Sequence, residues 1–105
     1  VRHAEHNRDR QRPLRVVQSW VDTRRRGLAP RYGSMAGGGA AAEARRDKWA
    51  HLVSDVEGEA AAPVQTNQDC NVFVTELGQG ATAPPLALGP GRQAYMLCVE
   101  GDVWM

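Results

Sequence analysis

The residues best suited to chemistry stand at the start of the chain, in His3-Ala4-Glu5-His6-Asn7. On an extended backbone, residues i and i+2 share a face. His3 and Glu5 would then project together, an imidazole beside a carboxylate. That pair suits a first-row transition metal, since both groups are borderline-to-hard donors and a small ligand set leaves positions open for substrate or dioxygen. His6 would point the other way. Two donors fall short of the three or four a metal needs, so a salt-bridged surface pair is the competing reading. The third histidine, in Trp49-Ala50-His51-Leu52, reads as a surface or packing residue.

Other chemistries find no support in the residue pattern. Neither Cys70 nor Cys98 has a histidine beside it, and there is no G-x-S-x-G elbow. Gly37-Gly38-Gly39 lacks the Gly-Lys-Ser/Thr ending of a phosphate loop. Both cysteines sit in apolar runs, where a free thiol behaves as a small buried hydrophobe. Two cysteines with no visible secretory signal do not make a disulfide framework, so an intracellular location is expected, cytoplasmic or nuclear.

The elements that must position His3 and Glu5 read as short strands. In Pro13 to Asp22, Leu14, Val16, Gln18 and Trp20 would share one strand face, although Leu14, Val17 and Val21 are also spaced for a helix. The β-branched and aromatic content favours the strand. Arg24-Arg25-Arg26-Gly27 reads as a turn, and Leu28 to Gly39 as a linker. Ala40 to Asp47 predicts a helical turn or two, Trp49 to Ser54 a strand, and Asp55 to Pro63 a loop. Cys70 to Leu77 and Ala94 to Val99 predict strands, the second the strongest. Glu100-Gly101-Asp102 offers hairpin turn chemistry before a return strand at Val103. Many short strands punctuated by Gly and Pro predict an all-β sandwich or barrel.

Composition sets the outer bounds. The 105 residues are room for one small domain or pieces of two. With 42% apolar and 24% charged residues, the chain is neither a disordered nor a collagenous type. No apolar stretch of about 18 residues is present, so no membrane span is expected. Charge is uneven: residues 1–31 hold nine Arg and three acids, residues 32–105 four basic and nine acidic residues. A basic arm suggests an anionic contact. The interspersed acids, the missing Lys and the few aromatics argue against direct nucleic-acid binding. A chain that opens on Val1 and stops just into a return strand is expected to be incomplete at both ends.

Taken in order, five segments resemble the middle of the pirin family. They are Arg2-His3-Ala4-Glu5-His6-Asn7, Val17-Gln18-Ser19-Trp20-Val21, Gly27-Leu28-Ala29-Pro30-Arg31-Tyr32, Lys48 to Ser54, and Asn67-Gln68-Asp69. Pirins show R-H-S-E-x-N, L-Q-x-W-I and G-L-x-P-x-Y at this spacing, and x-Q-D before a strand. The resemblance implies a bicupin, two double-stranded β-helix (jelly-roll) domains, incomplete in this chain. Residues 1–27 would be the last strands of the N-terminal cupin, 28–47 the crossover, and 48–105 the first part of the C-terminal cupin.

The resemblance also implies a cofactor. Pirins hold one divalent transition metal in the N-terminal cupin, usually iron, with nickel, cobalt, manganese, zinc or copper as alternatives. Three His and one Glu bind it, two from an upstream H-x-H and two from the H-x-E matched by His3 and Glu5. Those two residues inherit the metal-ligand role; Glu5 is also expected to act as catalytic proton acceptor, since a carboxylate near a flavonol hydroxyl is placed for base work. The upstream H-x-H is absent here, so half of the site is missing and metal should bind weakly. Ala4 stands where Ser or Thr is usual, and His6 where an aromatic is common. No His follows His51, so the C-terminal part implies no metal site.

Three functions follow from the resemblance. The first is flavonol (quercetin) 2,3-dioxygenase chemistry in an intact parent, with this chain alone inactive. The second is a metal-dependent transcriptional co-regulator that meets a protein partner through the basic arm. The third is a non-catalytic scaffold within a larger assembly.

Overall fold

The computed structural model describes residues 3–105. Its regular structure is one short helix, α1 (Ala40–Arg45), and three strands, β1 (Ala50–Asp55), β2 (Val64–Thr66) and β3 (Val72–Val74). The strands form one mixed sheet in the order β2-β1-β3, with β2 parallel and β3 antiparallel to β1. Little helix and a central sheet are compatible with an all-β class.

Local chemistry accounts for these elements. The helix is Ala-Ala-Ala-Glu-Ala-Arg, built on the best helix former. Six residues are too few to hold alone. Arg45 supplies the tie, its Nε 2.7 Å from Glu76 Oε1 and its Nη1 donating to Gly37 O. After the helix, Asp47 adopts φ 54°, a region that Asp tolerates better than most residues. Its carboxylate accepts from the Gly78 N–H at 2.7 Å, which stitches the helix exit to the segment after β3. In β1, His51 pairs with Phe73 and Val53 with Val72, with a register shift between them.

β1 and β2 are parallel yet joined only by residues 56–63. Parallel neighbours ordinarily need a crossover of a dozen residues or more. Ser54 explains the shorter path. It is 1% exposed, the one buried side chain among the described residues. Its hydroxyl donates to Ala60 O at 2.9 Å and accepts from Ala62 N at 3.2 Å, folding the connection back over the strand. The linker crosses nearby, where a Cβ on Gly33 would come within 3.2 Å of Val64 Cγ1.

No apolar side chain among the described residues is buried. The radius of gyration, 15.6 Å, exceeds the about 13 Å typical of a packed chain near this length. Two predicted strands also differ from expectation. Neither Pro13–Asp22 nor Ala94–Val99 enters a ladder, and Leu14, Val16, Trp20, Tyr95 and Leu97 are all exposed. Residues 103–105 do not pair as a return strand either. Cys70–Leu77 narrows to β3, and β2 forms where no strand was expected. Gly101 does take the left-handed conformation of a turn, at φ 77°.

Polar ties hold the N-terminal segment to the sheet. The Arg24 guanidinium bridges Asp55 at the end of β1 and Glu57, the latter at 2.8 Å. The Arg24 N–H donates to Asn67 O at 2.9 Å, and Gln68 Nε2 donates to Asp22 O at 2.9 Å. The Glu57 backbone N–H and the Arg24 guanidinium hold the Asp55 carboxyl below its ordinary value of 3.8. A carboxyl depressed on folding stabilises fully above its unfolded value and loses that contribution as pH falls through the folded value. The docking of residues 22–24 should therefore persist down to about pH 4 and loosen only below it. In Asp55→Asn it should be loose at every pH. Amide protection at Arg24, followed from neutral pH into the acid range, checks both expectations; equal protection in the variant would refute them.

Candidate functional site

The route from His3 to Trp20 is a reversal built by short polar side chains. Asn7 Nδ2 donates to Arg12 O at 2.6 Å, and Asn7 Oδ1 accepts from Asp9 N at 3.0 Å. Asp9 Oδ1 accepts from the N–H groups of Gln11 and Arg12 at 2.9 and 3.2 Å. Such side-chain-to-backbone bonds substitute for a backbone turn. They send the chain back so that residues 14–20 return beside residues 3–5.

That return assembles a cluster. His3 Nε2 lies 3.0 Å from Glu5 Oε1, so the two share a face as the i, i+2 spacing predicted. Gln18 Nε2 sits 2.9 Å from His3 Nε2 and 3.3 Å from Glu5 Oε1. Trp20 Nε1 donates to Gln18 Oε1 at 3.3 Å, and the indole lies 6.2 Å from the imidazole between ring centroids. Side-chain exposures of 46% and 50% leave His3 and Glu5 open to solutes. His6 is exposed and takes no part in the cluster.

The donor geometry can be tested against a metal ion. Two ligand atoms each about 2.1 Å from one ion lie about 3.0 Å apart in octahedral and about 3.4 Å apart in tetrahedral coordination. The His3–Glu5 separation of 3.0 Å is that of an N–H···O hydrogen bond and also matches the octahedral edge. Imidazole nitrogen with carboxylate oxygen matches the preferences of divalent iron, manganese, cobalt or nickel. Among the described residues, no group of three or more His, Cys, Asp and Glu comes together as a complete set. The two donors therefore fit as part of a site. Two concavities lie elsewhere, one lined by Cys98 and residues 101–104 and one between Met35, Trp49, His51 and Pro63.

His51 is a packing residue, as its setting suggested. It stacks on its cross-strand partner Phe73 at 4.3 Å and 21°, and its Nε2 lies 2.9 Å from Asn71 Oδ1. Cys70 is half-buried and Cys98 exposed, and neither forms a disulfide. The exposed Cys98 departs from the buried hydrophobe expected of it; its thiol lies within 3.3 Å of the Glu100 and Gly101 carbonyls. In the basic arm, Arg12, Arg15 and Arg24 face Asp9, Glu100 and the Asp55–Glu57 pair, whereas Arg25 and Arg26 are exposed.

Reasoning from sequence missed Gln18 as a member of the cluster. An amide thirteen residues from the nearer donor carries no spacing signal, although Gln18 and Trp20 were placed on one face. The motif residues Asn67-Gln68-Asp69 meet the N-terminal segment directly through Asp22 and Arg24. Arg92 pairs with Asp69 at 2.7 Å and depresses its carboxyl. No protein-family model, curated protein or solved structure matches this chain. No described helix is long and apolar enough to cross a membrane.

If His51 serves packing alone, His51→Phe should keep the stack on Phe73 and leave divalent-metal binding unchanged. A calorimetric titration with cobalt(II) on both forms checks this, and a loss of affinity in the variant would place His51 among the ligands.

Proposed function

We propose that this chain is part of a pirin-like bicupin whose intact parent is a metal-dependent flavonol dioxygenase. The observation that supports it is the convergence of His3 Nε2 and Glu5 Oε1 to 3.0 Å. In this reading the finer architecture is the cupin jelly roll, with residues 1–27 and 48–105 in successive barrels. His3 and Glu5 would hold one divalent metal, iron first among the alternatives, together with an H-x-H outside this chain.

Bound there, the metal would supply Lewis-acid activation and a template for substrate and dioxygen. The chain's own residues do the rest. Glu5 stands exposed at the open side of the cluster, placed to accept a proton from a flavonol hydroxyl. The Trp20 indole, 78% exposed, offers an apolar wall for a flat aromatic substrate beside the imidazole. Gln18 keeps His3 and Glu5 turned toward one point.

A second reading, a non-catalytic scaffold in a larger assembly, is favoured by the lack of a buried apolar side chain among the described residues and by the exposed Tyr95, Leu97 and Trp104. Metal analysis of the intact parent separates the two, since a scaffold need carry no iron.

The chain alone, with iron or nickel added, should not turn over quercetin. The parent should, and Glu5→Gln in the parent should lower kcat/KM by about 100-fold or more. Steady-state oxidation of quercetin followed by absorbance tests all three. Turnover by the isolated chain, or full activity in Glu5→Gln, would overturn the reading.

A further inference from the structure

His3 Nε2, Glu5 Oε1 and the Gln18 amide nitrogen form a triangle with edges of 2.9, 3.0 and 3.3 Å. Those lengths span the edges of one face of a coordination polyhedron with metal–ligand bonds of about 2.1 Å. Two corners already carry ligand atoms. The third carries an amide nitrogen, a donor group that no cation will bind. An amide is nearly symmetric in shape, however, and half a turn about its last bond exchanges nitrogen for oxygen. Carbonyl oxygen is an accepted ligand of hard divalent ions.

We infer that Gln18 is the third metal-facing group of this site, its Nε2 bridging His3 and Glu5 without metal and its Oε1 replacing it when a cation binds. The inference rests on the metal-site reading of His3 and Glu5. Without a cation, Gln18 Nε2 sits against both His3 Nε2 and Glu5 Oε1, on the side of the pair that a cation would take. A cation bound there requires the amide to turn. Trp20 opposes the turn, because its indole N–H donates to the Oε1 that must leave. An indole nitrogen donates only, so it gains nothing from the –NH₂ that would replace it. Trp20 is thus a positioning residue that holds the amide in its metal-free orientation.

The variants separate these roles. Gln18→Ala removes the third group and should weaken cobalt(II) or manganese(II) binding about tenfold, the low end of what groups around a metal contribute. Gln18→Glu presents oxygen in either orientation and should tighten binding. Trp20→Phe keeps an aromatic ring but frees the amide, and should also tighten binding. Calorimetry on the 105-residue chain reads the affinities, and the visible spectrum of bound cobalt(II) reads the change in ligand set. The side chains are exposed, and circular dichroism on each variant checks that it keeps the fold of the unaltered chain. Unchanged affinity and spectrum in both Gln18 variants, with binding lost in His3→Ala and Glu5→Ala, overturns the role of Gln18 and leaves the metal pair standing. Binding that survives His3→Ala and Glu5→Ala overturns both.

Discussion

One guanidinium holds the two ends of this architecture in register. Arg24 leaves the N-terminal segment and reaches between Asp55, the last residue of β1, and Glu57 in the turn that follows. Around it, the Arg24 N–H meets Asn67 and the Asp22 carbonyl meets Gln68. Arg24 Nε is buried with no partner, so the group gives up part of its hydration to make the bridge. Hydrogen bonding to Asp55 nonetheless raises its affinity for the proton above the ordinary range, against the opposing effect of desolvation. Both groups keep some exposure, and Glu57 would still face Arg24 if Asp55 were removed, so the bridge acts mainly by fixing where the segment docks.

This bridge matters because little apolar burial supports it. No hydrophobic side chain among the described residues is buried. Apolar burial is the dominant favourable contribution to folding, so its absence leaves directional polar contacts to specify the arrangement. Ser54 folds the β1–β2 connection, Arg45 ties the helix to Glu76, Asp47 closes on Gly78, and Trp49 donates to Pro84 O at 2.8 Å. All of these ties lie within residues 45–84. Arg24 links the sheet to the segment that carries His3, Glu5 and Gln18, and Arg15 links that segment onward to Val99 and Glu100.

Elements that depend on their own residues were legible in the sequence. The alanine run became α1, and the alternation around His51 became β1. The His3–Glu5 pairing followed from the two-residue period of an extended chain. Elements that depend on a partner were not legible. Leu14 to Trp20 and Ala94 to Val99 have the composition of strands, but composition records how a side chain would sit on a pleated surface, not whether another backbone lies alongside. Val64–Thr66 shows the reverse case: three residues after a proline carry almost no pattern, and β1 recruits them because Ser54 brings the connection back. Gln18 escaped notice for the same reason. Its role exists only after Asn7 and Asp9 have reversed the chain.

The site's geometry is therefore set by a loop, an arrangement less precise than one built on strands. Its pairing logic is nevertheless independent of the ladder. His3 and Glu5 are two residues apart, and so are Gln18 and Trp20. Any β-extended conformation, hydrogen-bonded to a neighbour or not, keeps each pair on one face. If residues 14–21 entered a sheet, Gln18 and Trp20 would still project together, and the reversal at residues 7–12 would still bring them against His3 and Glu5. Exposed Leu14 and Val16 lie on that same face and Val17 and Val21 on the other, so added strands would have apolar surface to cover while the cluster kept its facing pairs. Burial of that surface would lower the local dielectric around His3 and Glu5 and strengthen every charge–dipole contact among the four side chains. The cluster would then be held by the sheet beneath it, where it is now held by Asn7, Asp9 and Arg24.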